Sequence, residues 1–514
     1  MGDLIRNEFL KLHRRHFFLF SFILIVFACL VFTSVFYAQS DTRSDMDIVE
    51  EQLEREKTYF GQIETIQWET DLEMQSAILT SQATIDRLQY MLDHGIPQWD
   101  WRSDVLSKYF TNQTILNLLA AGQNPADYGY TDLGTYESRA TLVQKLENRR
   151  DVQIRMVEEN DYMAYSQEQL AQLQQVYAEQ NGSMDTLSTV LMDIQIESWK
   201  LYIQYKTAPG AVDQWKSVAI QELADEKEWL ARYQYDDQAF VDLKQEELDR
   251  QKSWTQRRIR VNEYALKNDQ IPLSIYEKMA ERAKTTTYSA FVLSIKNLMR
   301  IVMALSIGLA SFIMADEFRR RTIRQVVLAP YSRTQIAAAK LITLIITIIL
   351  LSLIIPLFGM VAGRLLFSNT TIGQSVSSGA GPAFISFIHG RIVEIPFHLY
   401  IVVHYFLEAF KICIVSVITL MFATLTESVA VPMLVMLLLS LAGPAIYSTI
   451  YTYVYPAGIL RYMLFGNLEL IQYIQSTPIA PYPNYITSLI VIAFCSLVSL
   501  ILYFTTFKYK ELPN

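Results

Sequence analysis

Residues 315–340 read ADEFRRRTIRQVVLAPYSRTQIAAAK, and the fold turns on what flanks them. One apolar run ends where this stretch begins, at about 295–315, and another opens in its last residues, at about 339–366. A helix needs about 20 predominantly apolar residues to cross the hydrocarbon core of a bilayer. The arginines at 319, 320, 321, 324 and 333 are therefore held between two spans, in a loop too polar to enter the membrane.

Outward from this loop the same pattern recurs at 17–38, 400–424, 429–447 and 485–507, which makes six expected spans. The chain of 514 residues is 51% hydrophobic, and its mean hydropathy is positive. The first run follows Arg6, Lys11, Arg14 and Arg15, but its apolar core is longer than the roughly 7–15 residues of a secretory signal, so a retained span is expected. Basic residues near span ends stay on the cytoplasmic side. The amino terminus, the arginine loop and the tail with Lys508 and Lys510 are all basic. Six spans place these three on one side, which puts both termini in the cytoplasm and residues 39–294 outside a bacterial cell membrane.

Residues 41–290 carry a net charge of −17, which excludes nucleic acid as a partner of this segment. Its sparse breakers, near 94–100, 120–134, 179–183 and 207–210, separate text rich in Glu, Gln, Lys, Leu and Ala with apolar residues three and four apart. That spacing predicts helices, in antiparallel hairpins over roughly 42–93, 102–120, 135–180, 184–206 and 211–268. The expected fold class is an all-α integral membrane protein: six transmembrane helices plus a large α-helical extracellular domain. Its parts are 1–38 (amphipathic start and first span), 39–294 (helical domain), 295–315 (second span), 316–338 (cytoplasmic loop) and 339–514 (remaining spans, outer loops and tail).

Cys29, Cys413 and Cys495 all lie in spans, so the external domain is not stapled by disulfides. All seven tryptophans, Trp68, Trp99, Trp101, Trp199, Trp215, Trp229 and Trp254, lie in that domain. They are expected as core anchors, with Trp99 and Trp101, in a turn, the pair that could instead meet lipid or an amphipathic ligand. Residues 367–395 and 448–484 are expected as loops with short interfacial or re-entrant helices.

Within the loop, Pro330 ends one helix and Ser332 is placed to cap the next, which runs straight into the third span. Here the sequence resembles the permease subunits of type-2 ABC exporters. The matching positions are Glu317, Thr322, Ile323, Val326, Val327, Leu328, Pro330, Ser332, Arg333 and Lys340, with Arg321 where the family carries glycine and Tyr331 in place of a small apolar residue. The six-span plan, the basic start LIRNEFLKLHRRH and the short turn at Thr426–Ser428 fit the same pattern, whereas the helical domain lies outside the common family core.

The resemblance implies a coupling helix that docks on a separate ABC ATP-binding subunit, with ATP and Mg bound there and no cofactor or metal on this chain. It further implies a second permease copy, identical or similar, and export of an amphipathic compound or antimicrobial peptide, which would confer antimicrobial resistance. No glycine is followed by Lys, so a GxxxxGK phosphate loop is absent, as are HExxH, CxxC and GxSxG. An enzyme is not expected. Anchoring of the loop arginines to anionic lipid competes with the coupling role.

Ionisable residues inside spans are costly and invite a functional reading. His404, Glu408 and Lys411 share a face of the fourth span, and Lys296 and Arg300 share one of the second. Depth counting sets both groups in the outer third of the bilayer, with Glu408 paired to Lys296, Arg300 or Lys411 and an excess of positive charge facing a cavity. A rival function is a mechanotransmitter or sensor, which moves the helical domain to regulate an envelope enzyme or signalling partner without transport.

Overall fold

A computed structural model describes residues 2–14, 16–41, 45–68, 70–130, 138–180, 184–211, 214–236, 245–282, 288–319, 331–366, 383–388, 391–453, 462–475 and 485–509. The chain divides into two compact units. One, the membrane unit, comprises Met1–Tyr37, Asp242–Val261 and Lys267–Asn514; the other, the helical insert, comprises Ala38–Val241 and Asn262–Leu266.

In chain order the longer elements are α1 (Gly2–Arg14), α2 (Phe17–Asp41), α3 (Asp45–Gln62), α4 (Asp71–Asp93), α5 (Trp101–Ala120), α6 (Arg139–Glu158), α7 (Tyr162–Gln180), α8 (Thr186–Tyr205), α9 (Trp215–Tyr235) and α10 (Gln245–Asn268). There follow α11 (Leu273–Arg282), α12 (Tyr288–Ile295), α13 (Met299–Arg319) and α14 (Arg333–Leu366). A hairpin of β1 (Ala383–Ile388) and β2 (Arg391–Pro396) precedes α15 (Phe397–Thr426), α16 (Ala430–Tyr453), α17 (Leu464–Asn467), α18 (Gln472–Gln475) and α19 (Tyr485–Tyr509).

In the insert, α3, α4, α5 and α6 pack each on the next, as do α7, α8 and α9. The helix starts follow from local chemistry. Thr70 and Glu73 form a reciprocal capping box at the start of α4, and Asp100, Ser138 and Asp185 cap α5, α6 and α8 through their side-chain oxygens. The Thr70 cap divides the expected 42–93 hairpin into its two arms. Val49, Leu53, Leu88, Met91, Ile96, Trp101, Val105 and Leu106 form the core, which Met156, Val157 and Tyr165 extend.

None of the seven tryptophans is exposed. Trp101 is buried and Trp99 packs on the same core, which corrects the reading of these two as a surface for lipid or ligand. Gly210, at φ +72, passes so close that a Cβ there would stand 3.0 Å from the Trp99 carbonyl oxygen. Only glycine fits both the backbone and the approach.

Among the described residues of the membrane unit five helices are long and apolar enough to cross a bilayer: Phe17–Val35, Lys296–Ala315, Arg333–Leu366, Phe397–Thr426 and Tyr485–Tyr509. The architecture is that of an all-α membrane protein. The stretch expected to span at 429–447 lies in α16, whose described apolar part, Ala430–Gly443, is shorter. Helices α13 and α15 are the inner pair, with 61% and 56% of their apolar windows buried, against 22% for α2 and for α19. Small residues explain the close packing of the inner pair: Ser306, Ala310, Ser311 and Ala315 on α13 and Ser416, Thr419, Ala423 and Thr424 on α15 are all buried.

The hairpin corrects the expectation of loop and short helices at 367–395. AFISFI and RIVEIP are rich in β-branched and aromatic residues, and they pair antiparallel from Ala383↔Pro396 to Ile388↔Arg391, leaving only His-Gly between the strands. The Ile385 N–H also donates to the Ile271 carbonyl at 3.2 Å. Phe384 meets Phe397 and Tyr400 edge to face and Tyr276 at a tilt, with ring centroids 5.8, 6.0 and 4.6 Å away, which seats the hairpin on the first turn of α15. Short helices do appear within 448–484, as α17 and α18.

Candidate functional site

The sequence marked two groups of residues, and they lie at different levels of the membrane unit. The first surrounds the start of α14. Ser332 caps it with a box: its Oγ accepts from Gln335 N–H at 3.3 Å, while Gln335 Oε1 accepts from Ser332 N–H at 3.0 Å. Because α14 has no internal proline before Pro356, a displacement of this turn is carried along a single helix for its first 23 residues. Tyr331 is half-buried just before the cap.

Both ends of the chain hold this turn. Arg333 donates from Nη1 to the carbonyl of Lys508 at 3.1 Å, and Tyr503, fully buried, donates its hydroxyl to the Ala337 carbonyl at 3.0 Å. Lys340 is likewise fully buried and its Nζ lies 3.2 Å from Glu8 Oε2. Glu8 also meets Lys11 at 2.8 Å. The amphipathic start read from the sequence thus packs along α14, with its acid turned inward. Lys340 faces the bundle, so among the described residues of the predicted set Ser332 and Arg333 stand at the surface of this turn. Glu317 lies on α13 with a side chain outside the described residues, as are Arg321, Thr322 and Pro330 altogether.

The second group lies midway along α15. Lys411 Nζ is 2.7 Å from Glu408 Oε2 and 3.1 Å from Glu469 Oε1, and all three side chains are at most a quarter exposed. Glu408 therefore takes Lys411 from among the three partners expected for it. At 1.5 Å per residue Lys411 stands roughly 22 Å from the Thr426 end of α15, so Glu469 enters at mid-helix depth. Sequence reasoning missed Glu469; its one signal was an acid inside the apolar stretch FGNLEL.

The segment that carries Glu469 is pinned from two sides. Ser488 of α19 donates to Asn467 Oδ1 at 2.7 Å and shares a 2.8 Å hydrogen bond with the Tyr473 hydroxyl. On α16, a Cβ at Gly443 would stand 3.1 Å from Phe465 Cβ. Ser386 on β1 donates to the Ile474 carbonyl, which ties the hairpin to the same segment.

His404, one turn before Glu408, is buried between the rings of Tyr400 and Tyr405, with centroids 5.9 and 6.1 Å away, and its Nδ1 has no hydrogen-bond partner among the described residues. Lys296, in the short 3-10 turn before α13, is close enough to act electrostatically on both His404 and Glu408. Arg300 is exposed and forms no ion pair among the described residues. The second carboxylate lowers the expected excess of positive charge without removing it: with Glu469 added, the formal charges of Lys296, Arg300 and Lys411 stand against those of Glu408 and Glu469.

Residues 260–512 match the model of a family described as "Protein of unknown function (DUF2705)". The chain is 25% identical over 214 residues to the uncharacterized protein YhcI of Bacillus subtilis (strain 168). That alignment takes in 41% of this chain and 64% of YhcI, so it spans less than two thirds of the relative. No solved structure matches. The family match takes in the turn at Ser332 and the whole Glu408, Lys411 and Glu469 triad; the helical insert lies almost wholly outside it.

Proposed function

We propose that this chain is the membrane-spanning permease subunit of an ATP-driven transporter, powered by a separate ATP-binding subunit that docks at the turn beginning with Ser332. The carrying observation is mechanical. A capped helix start is fused to a 34-residue apolar helix and braced by both termini, through Glu8, Tyr503 and the Lys508 carbonyl. A push on such a turn moves a rigid body and is not absorbed locally. In this reading six spans place both termini in the cytoplasm and the insert outside the cell, two permease copies pair, and an amphipathic compound or antimicrobial peptide is exported. The buried charge group on α15 belongs to the moving core.

The test is co-expression with candidate ATP-binding subunits, followed by co-purification and reconstitution. Wild-type protein is expected to hold the ATPase and to move substrate on ATP addition, and Arg333→Glu to lose the ATPase while remaining folded. An unchanged complex with Arg333→Glu would refute docking at this turn.

A second reading, a mechanotransmitter that moves its insert without transport, draws on the hairpin. The hairpin runs directly into α15 and is hydrogen-bonded at Ile271 to the chain that leads back to α10, which gives α15 a stiff lateral connection. ATP hydrolysis that alters hydrogen exchange in residues 45–235 while no compound crosses the membrane favours this reading over export.

A further inference from the structure

The strongly acidic insert contains a cleft of about 550 Å³ whose lining does not share its charge. The cleft lies between α5, α6 and α7, over a floor that includes Val105, Ile115 and Leu146. Three cations line it, Lys108 from α5 and Lys145 and Arg149 from α6, against one carboxylate, Glu168. Lys108 is partly neutralised, since Asp104 lies 2.8 Å away. Lys145 and Arg149 are exposed and have no ion pair or hydrogen bond among the described residues. Four residues apart on one helix, they project side by side at a spacing of about 6 Å.

Amides fill the rest of the wall. Asn112 donates to Gln153 at 3.0 Å, and Gln169 accepts weakly from Lys108 at 3.5 Å, which leaves further donors and acceptors open on both and on Gln172. Tyr165, at the bottom, donates a hydrogen bond from its hydroxyl to Asp104 at 2.8 Å; burial and that carboxylate push its pKa well above the tyrosine range, so it remains a neutral wall.

From this arrangement we infer that the cleft is a binding site for a phosphorylated polyol or sugar chain, with at least two phosphates held by Lys145, Arg149 and Lys108 and hydroxyls held by the amides. Phosphate is the better match for this set: Arg offers a planar fork and the lysines are point charges, a combination that suits oxygens spread over several phosphates more than one planar carboxylate. Screening within about 10 Å at ordinary ionic strength confines the attraction to the cleft, so the acidity of the remaining surface rejects anions elsewhere. This assignment does not depend on whether the membrane unit transports anything.

The full chain in neutral detergent is titrated calorimetrically at low salt with fructose 1,6-bisphosphate, with citrate and sorbitol as comparisons. Saturable binding of the bisphosphate is expected, at least tenfold tighter than citrate and with none for sorbitol. The pair Lys145→Gln and Arg149→Gln is expected to weaken it at least tenfold with an unchanged thermal transition, whereas Lys57→Gln with Lys200→Gln, which removes equal charge from exposed positions of the same unit, leaves it unaltered. Equal losses in both pairs would reduce the effect to net charge and overturn the site. Citrate binding as tightly as the bisphosphate would overturn the phosphate assignment. Saturable binding of nanodiscs containing cardiolipin, with no binding of the bisphosphate, would hand the cleft to a lipid headgroup and overturn the polyol.

Discussion

Among the described residues of the membrane unit, Lys340 is fully buried and Lys411 nearly so, and the two are neutralised in different ways. Lys340, near the start of α14, meets an acid from a surface helix, Glu8 on α1, which arrives from the other end of the sequence. Lys411, at the middle of α15, meets one acid from its own helix and one from the segment inserted between α16 and α19. In the first case the countercharge sits on a surface helix whose other face is exposed to solvent; in the second the countercharges are held among the surrounding helices. The difference separates a joint from a keystone. A buried charge left without its partner costs several kcal/mol, whereas removing a whole pair is often neutral.

Lys411→Met should therefore be the most damaging change, since it leaves two carboxylates facing each other at mid-helix depth. A loss of about 3–5 kcal/mol is expected, read as a fall in the detergent-solubilised thermal transition. Adding Glu408→Gln and Glu469→Gln should recover most of it; no recovery would show that Lys411 acts through something other than these acids.

At the joint, Glu8→Gln should cost less, roughly 2 kcal/mol, because α1 and its neighbours can rearrange toward solvent. Its signature is local: hydrogen exchange of residues 2–14 speeds up while the α15 core is unchanged. Glu8→Gln with Lys340→Met should restore protection, and a uniform loss across both regions would erase the distinction drawn between the two lysines.

Ser332→Ala removes a single cap and should lower stability by about 1 kcal/mol. Under the proposed function it also weakens ATPase stimulation by more than that loss explains, because the turn itself is loosened; a proportionate effect would argue against a lever at this position.

The smallest effect lies in the insert. Asp185 caps α8 by accepting the Ser188 N–H at 2.6 Å, which holds its carboxyl below the usual aspartate range. A depressed pKa contributes stability above the unfolded value, about 3.9, and loses it as pH falls through the folded value. Asp185→Ala should lower the thermal transition slightly at pH 7 and match wild type in strong acid; a difference that persists in acid would mean that the carboxylate charge is not the cause.

Much of the membrane unit was legible because lipid imposes a simple rule on composition. Long apolar runs, the Ser332 cap and the shared face of Glu408 and Lys411 could all be read locally. The Glu8–Lys340 pair was not, though both residues lay in segments already marked, because a contact 332 positions apart depends on which helix α1 rests upon. Glu469 stayed hidden because a short irregular segment has no periodicity to reveal its direction. The hairpin was masked by a flank rich in Gly and Ser, although AFISFI and RIVEIP carried β-forming residues on either side of His-Gly. Thr70 and Glu73 spelled a capping box that would have divided the first helical arm.

The network of Asn467, Ser488 and Tyr473 also sets an order on assembly. Lys411 emerges from the ribosome before Glu469, and the segment that delivers Glu469 is clasped by Ser488, in the last long helix of the chain. Until α19 is in place, an ammonium group halfway along α15 waits without one of its acids. A chain truncated before residue 485 would keep that mark of incompleteness, and membrane proteases that survey unfinished proteins would have a charge to recognise.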